Sequence, residues 1–226
     1  MDWLLCTLDK WQPLAIAISA LAAFTLAVVA VYQDRLRILF FSPKLDLTQG
    51  PFYPDALHVP LYDGENNIVA EACYLQIRIK NERATAEKVE VFIEKIEREV
   101  NGVFRAVEGF YPLNLKWRHY NTVFLDRLSP KTSRDCSLGR IVDPQKKKIA
   151  GDDYPSLNLP PDRSPFRLEL ATIPSTRSDL LQPGKYRLFL QMVASNSRRP
   201  KRRIIELEFT GEWLPDVKDM VVAKPL

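Results

Sequence analysis

Histidine and glycine are scarce in this chain of 226 residues, which holds two of the first and eight of the second. His58 and His119 stand far apart, in no HExxH or other close pair, and no GxSxG surrounds a serine. A lone histidine on a strand or loop is far more often structural than catalytic. The glycines form neither a GxGxxG nor a P-loop, so no backbone nest is available to cradle a phosphate. Three cysteines, Cys6, Cys73 and Cys136, are widely spaced, odd in number and without CxxC or Cys/His ligand spacing. Neither a zinc site nor a disulfide framework is expected, and isolated buried thiols are. Asp135 beside Cys136 offers no base for a thiolate nucleophile. The pattern points away from an enzyme, and no cofactor or metal is expected.

Charge is missing altogether between Trp11 and Gln33. A bilayer core needs about 20 apolar residues of helix, and this run supplies them without a polar face, which a surface helix of a soluble protein would show. Ser19 and Thr25 can each bond back to a carbonyl one turn earlier. Pro13 stands where a first helical turn tolerates it. Trp11 and Tyr32 fall where amphipathic rings favour the headgroup layer. A cleaved signal peptide would want a basic start and a shorter apolar run. Here the start carries Asp2, Asp9 and Lys10, and the run is long, so an uncleaved anchor is the reading despite a cleavage-like Val28-Val29-Ala30. The expected organisation is a short tail over 1–11, a transmembrane helix over 12–33, a juxtamembrane segment over 34–43 and a folded domain over 44–226.

Lys10 is the one cation on the N-terminal flank, against Arg35, Arg37 and Lys44 on the other. The Lys/Arg bias therefore places the C-terminal domain in the cytoplasm, on a single-pass protein of the cell inner membrane. Arg35 and Arg37 would meet anionic headgroups. The whole chain carries a net charge of +4 and its first ten residues −1, so a mild surplus of +5 falls after the apolar run. That suits a neighbouring anionic membrane but does not by itself call for nucleic acid.

Beyond Pro43 the sequence changes to short apolar/polar alternations broken by Pro, Gly, Asn and Asp, the signature of an antiparallel all-β domain. "YLQIRIKN" (74–81) alternates cleanly. "PGKYRLFLQMV" (183–193) opens on a turn and sets Tyr186, Leu188, Leu190 and Met192 on one face, with Ile205, Leu207 and Phe209 as its hairpin partner. Residues 87–100 are ambiguous. Val89, Phe92, Ile93, Ile96 and Val100 have helical spacing, while Val89, Val91 and Ile93 alternate. Asn101-Gly102 then makes strand, tight turn and strand the better reading. Residues 43–67 and 143–165 resist regular assignment and read as long loops.

"YLQIRIKNERATAEKVEVFI" resembles the strand-turn-strand of bacterial immunoglobulin-like domains, with Asn81 closing one strand and Ala86 starting the next. "LLQPGKYRLFLQMVASN" is similar to their penultimate strand, where Tyr186 would stand in the place of the tyrosine corner. With "PLNLKW" (112–117) and "CSLGRIVDP" (136–144) between them, the chain resembles bacterial single-span membrane proteins that carry an immunoglobulin-like β-sandwich. The resemblance covers roughly residues 68–213, implies an all-β antiparallel sandwich with long loops, and brings no catalytic residue.

Two basic clusters remain. Arg198, Arg199, Lys201, Arg202 and Arg203 sit at the tip of the last expected hairpin, and Lys146, Lys147 and Lys148 lie in the long loop. Either cluster could meet phosphates on a lipid or an anionic small molecule. A charged tip that blocks edge pairing and aids solubility is the plainer account. No aromatics are interleaved as a single-strand nucleic-acid binder would want. Asp152-Asp153 read as solvated turn residues. The function expected is a non-enzymatic binding module that engages membrane lipid and a protein partner. The alternatives are a sensor for an anionic, nucleotide-like small molecule held by the two basic clusters, and an anionic lipid-binding domain. Small residues at Ala15, Ser19, Ala22 and Ala23 would let helices of such a sensor approach one another.

Overall fold

A computed structural model describes residues 2–48, 56–118 and 122–226, and divides the chain into two compact units, Met1–Ser42 and Pro43–Leu226. The first unit is one helix, α1 (Asp2–Phe41). Residues 2–11, expected as a tail, and residues 34–41, expected as a juxtamembrane segment, are part of it. Pro13 therefore lies inside the helix rather than in its first turn. Leu14–Gln33 is long and apolar enough to cross a membrane. Ser19 and Thr25 donate to the carbonyls of Ile16 and Leu21, each at 2.8 Å, so neither hydroxyl is left unsatisfied. The helix stops one residue before Ser42, whose helical conformation Pro43 disfavours. Tyr32 is half exposed. Trp11, Arg35 and Arg37 lie outside the residues whose side chains are described.

The second unit alternates between two antiparallel sheets. In chain order its strands are β1 (Leu45–Thr48), β2 (Ala56–Tyr62), β3 (Ile68–Asn81), β4 (Ala86–Val100), β5 (Val103–Ala106), β6 (Leu113–Asn114) and β7 (Phe124–Leu128). There follow β8 (Thr132–Val142), β9 (Phe166–Leu168), β10 (Leu180–Leu181), β11 (Gly184–Val193), β12 (Lys201–Phe209), a short helix α2 (Val217–Met220) and β13 (Val221–Pro225). The first sheet runs β1-β3-β8-β9-β10, with β2 beside β1 on the same edge of β3. The second runs β13-β12-β11-β4, and β5, β6 and β7 share the far edge of β4. Together they form an all-β sandwich.

The long stretch 43–67 is corrected by the structure: it contributes β1 and β2, both on an edge and therefore only half buried. The loop 143–165 holds two single turns of 3-10 helix and no strand.

The core is the sum of the alternations. Leu75, Ile77 and Ile79 of β3, Val89, Val91 and Ile93 of β4, Leu188 and Leu190 of β11, and Ile205 and Leu207 of β12 are all buried. The ambiguous stretch is β4, and its helical spacing has a structural cause. Lys88 adopts a left-handed conformation (φ 46°), and Glu94 is an extra residue opposite the Phe189/Leu190 step of β11. Each irregularity shifts the alternation by one, so that Ala86 and Val89, then Ile93 and Ile96, face inward three residues apart. Asn101 and Gly102, at φ 54° and 77°, make the tight turn into β5. Gly139 on β8 is fixed by close approach, because a Cβ there would run into the Phe166 ring.

Trp117 caps the core, its Nε1–H donating to the Val89 carbonyl at 3.2 Å. Its segment changes sheets. Leu113 and Asn114 pair with β4, while Leu115 and Trp117 bridge to Leu170 and Cys136 of the opposite layer.

Candidate functional site

Of the five cations expected at the hairpin tip, Arg198 and Arg199 lie in the turn between β11 and β12, while Lys201, Arg202 and Arg203 are the first residues of β12 itself. The turn is held by Asn196, whose Nδ2 donates to the Thr85 carbonyl at 2.8 Å and whose Oδ1 accepts from the Glu87 N–H at 3.1 Å. Arg202 bonds Glu94 at 3.1 Å, and Arg203 bonds Asp46 at 2.7 Å, tying β12 to β1 across the two sheets. Arg198 and Arg199 are exposed and Lys201 is half buried.

Lys146 ends a short turn opened by Pro144, and Lys147 and Lys148 follow it. Lys147 is occupied structurally, donating through Nζ to the carbonyls of Pro160 and Arg163 at 3.1 and 2.9 Å. Arg163 in turn bonds the Thr210 carbonyl and Glu212, just past the end of β12. Lys201 begins that nine-residue strand. The two clusters therefore sit at opposite ends of the sandwich, about 30 Å apart at roughly 3.3 Å per residue. No single small ligand spans both.

Asp152 is not a solvated turn residue. It is 1% exposed and accepts from Arg167 Nη1 at 2.6 Å and from Arg140 Nε at 3.2 Å. Arg140 also donates to the Tyr74 hydroxyl at 3.0 Å. Burial opposes the Arg140 charge, but Asp152 and Tyr74 outweigh it and hold the guanidinium protonated. Asp179, equally buried, takes a two-pronged bond from Arg177, which covers the Tyr154 ring at 3.7 Å. Asp153 is exposed, as expected.

Among the described residues no group of histidine, cysteine and carboxylate side chains could hold a metal ion. His58 packs edge-on to Trp213 at 5.2 Å, and His119 lies outside the described residues. Cys73 and Cys136 are free and buried, and burial pushes the Cys73 thiol up to about 12, so neither is a nucleophile at neutral pH.

The feature that sequence reasoning missed is a cleft of about 500 Å³ on the outer face of the first sheet. One wall is apolar and aromatic: Pro60, Leu61 and Tyr62 of β2, with Tyr74 of β3. The other is cationic: Lys116 and Arg118, on the segment that changes sheets. Gln76, almost fully buried, accepts from Arg118 Nη1 at 3.0 Å and fixes the guanidinium beside the floor. Ser137 and Glu169 complete the polar side. An apolar wall facing oriented cations suits a ligand that is anionic at one edge and apolar along its body. Its residues come from five separate chain segments, so no local motif announces it.

Compared with known proteins, the chain matches no family model, no curated protein and no solved structure.

Proposed function

We propose that the chain is a membrane-anchored, non-enzymatic binding module of the bacterial inner membrane, with its sandwich in the cytoplasm. Its partner is a protein that lays an acidic, extended segment into the cleft between β2 and the 116–118 segment. The observation that carries this reading is the cleft itself, where Arg118, oriented by Gln76, faces the wall made by Pro60, Leu61 and Tyr62. The helix supports the anchor, and Arg35, Arg37 and Lys44 against Lys10 support the orientation. The immunoglobulin-like reading is supported by Tyr186, whose hydroxyl donates to the Gln182 carbonyl at 2.7 Å, a bond of the tyrosine-corner kind. Tethering confines the module to two dimensions and raises its effective concentration toward membrane partners.

A photo-crosslinking residue at Tyr62, in cells, tests the proposal. The expected result is a discrete adduct that disappears when Lys116 and Arg118 are both changed to Glu. An adduct indifferent to that reversal removes the charged wall from the reading. The same wall beside two tyrosine rings favours a second reading, an anionic aromatic small molecule. A nucleotide panel that raises the melting temperature of the wild type, and not of the double variant, selects it.

A further inference from the structure

Four connecting segments meet where the chain enters the sandwich. The Glu82 N–H bonds the Lys44 carbonyl at 2.9 Å, the Lys131 N–H bonds the Asn81 carbonyl at 2.7 Å, and Asn196 bonds Thr85. Residues 43–44, 82–85, 129–131 and 194–201 thus form one end. They carry Lys44, Arg83, Lys131, Arg198, Arg199 and Lys201 against a single carboxylate, Glu82, which Lys44 neutralises at 2.6 Å. Arg83, Lys131 and Arg199 are exposed, and among the described residues they have no carboxylate within ion-pair distance.

The opposite end is joined by Asp143 N–H to Glu71 and Ser164 N–H to Gly211. Its segments 63–67, 143–165 and 210–219 carry five basic and nine acidic side chains. The sandwich is therefore polarised along its length, and the cationic end is the one that continues, through Ser42, into the helix.

Resting on the reading of α1 as a membrane anchor, we infer that this cationic end is a docking surface for anionic phospholipid headgroups. Arg83, Lys131, Arg199 and Lys201 are the side chains that would bind the headgroups. Its segments contain no large apolar side chain, so the contact is electrostatic and stays at headgroup depth. A membrane rather than a nucleic acid is the occupant the fold favours. The chain's own tether delivers this end, and aromatic rings for stacking bases are absent from these four segments.

The test uses the full chain in nanodiscs of phosphatidylcholine, with or without about one third phosphatidylglycerol, read by hydrogen exchange. Amides of 82–85, 129–131 and 195–201 are expected to slow only in the anionic discs, with 63–67 and 145–151 unchanged. Raising salt from about 0.05 to about 0.5 M is expected to erase the difference. Changing Lys131, Arg199 and Lys201 to Gln removes about fivefold in docking per cation, on the order of a hundredfold together. Unchanged exchange at the far end shows that the variant is folded. Equal exchange in both discs at the basic end overturns the inference while leaving the anchor intact. So does protection that appears with an added oligonucleotide and not with anionic lipid. A chain that elutes free of the discs overturns the anchor, and this surface with it.

Discussion

Where the chain enters the sandwich, Asn81 and Asn196 close the end with neutral amides. At the far end, Asp152 and Asp179 do so with buried carboxylates. Asn81 is fully buried and donates to the carbonyls of Ala84 and Leu128 at 2.7 and 2.9 Å. Each far-end carboxylate is instead bound by arginines, from Arg140, Arg167 and Arg177. Both solutions satisfy polar atoms that would otherwise be stranded. Their by-products differ, because an amide consumes no charge and an ion pair consumes one of each sign. The entry end keeps its cations on the outside, and the far end spends three arginines inside. The charge available to a partner is set by how an end is closed, not by composition alone.

The contrast breaks most visibly at Asp152. Replacing it with Ala leaves Arg140 and Arg167 without their shared buried counter-charge and should cost about 3–5 kcal/mol in denaturant unfolding. Asn81→Ala should cost somewhat less, about 2–4 kcal/mol, since two carbonyls each lose a donor but no charge is stranded. If the two losses come out equal, the distinction between ionic and neutral closure has no energetic content. Tyr186→Phe, at the far end, removes one hydrogen bond and should cost about 1 kcal/mol.

Tyr186 also sharpens the comparison through pH. Burial raises the Tyr186 hydroxyl from 10.0 to about 12, against the pull of Arg98, and burial alone raises the Cys73 thiol from 9.0 to about 12. Both groups are held neutral in the fold, whereas an unfolded chain releases their protons from the lower values upward. Their stabilisation is complete below about pH 9 and is lost as pH climbs to about 12. Melting temperature should fall across that window, and less steeply in Tyr186→Phe. The smallest effect belongs to the exposed cations of the entry end. Lys131→Gln or Arg199→Gln should change stability by less than about 0.5 kcal/mol. A large loss would mean that those side chains hold the fold rather than face outward.

The hairpins and the single apolar helix were legible because each depends on a local pattern. Tyr186, Leu188 and Leu190 opposite Ile205 and Leu207 is period two on both strands, with a turn beside it. β1 and β2 were not, since edge strands bury one side partially and Pro60 breaks the donor row of β2. Residues 87–100 read two ways because Lys88 and Glu94 each break the period. Asp152 looked solvated beside Asp153, Pro144 and Pro155, and only the tertiary fold brings Arg140 and Arg167 to it. The cleft was invisible for the same reason. Tyr62, Tyr74 and Arg118 have no sequence relation, and the orienting partner of Arg118 is Gln76, an ordinary residue in an ordinary strand.

The long middle strand β4 has one more consequence, in the order of assembly. Leu188 must find Ile96 and Ile77 must find Cys136, so neither sheet can close until late segments of the chain have been made. Synthesis delivers the N-terminal part first, so β4 waits with a fifteen-residue edge unpaired, the kind of surface that recruits other chains into aggregates. Its sequence is armed for that wait. Glu87, Lys88, Glu90, Glu94, Lys95 and Glu97 interrupt every apolar run, and such gatekeeping charges keep a nascent strand soluble until its partner arrives.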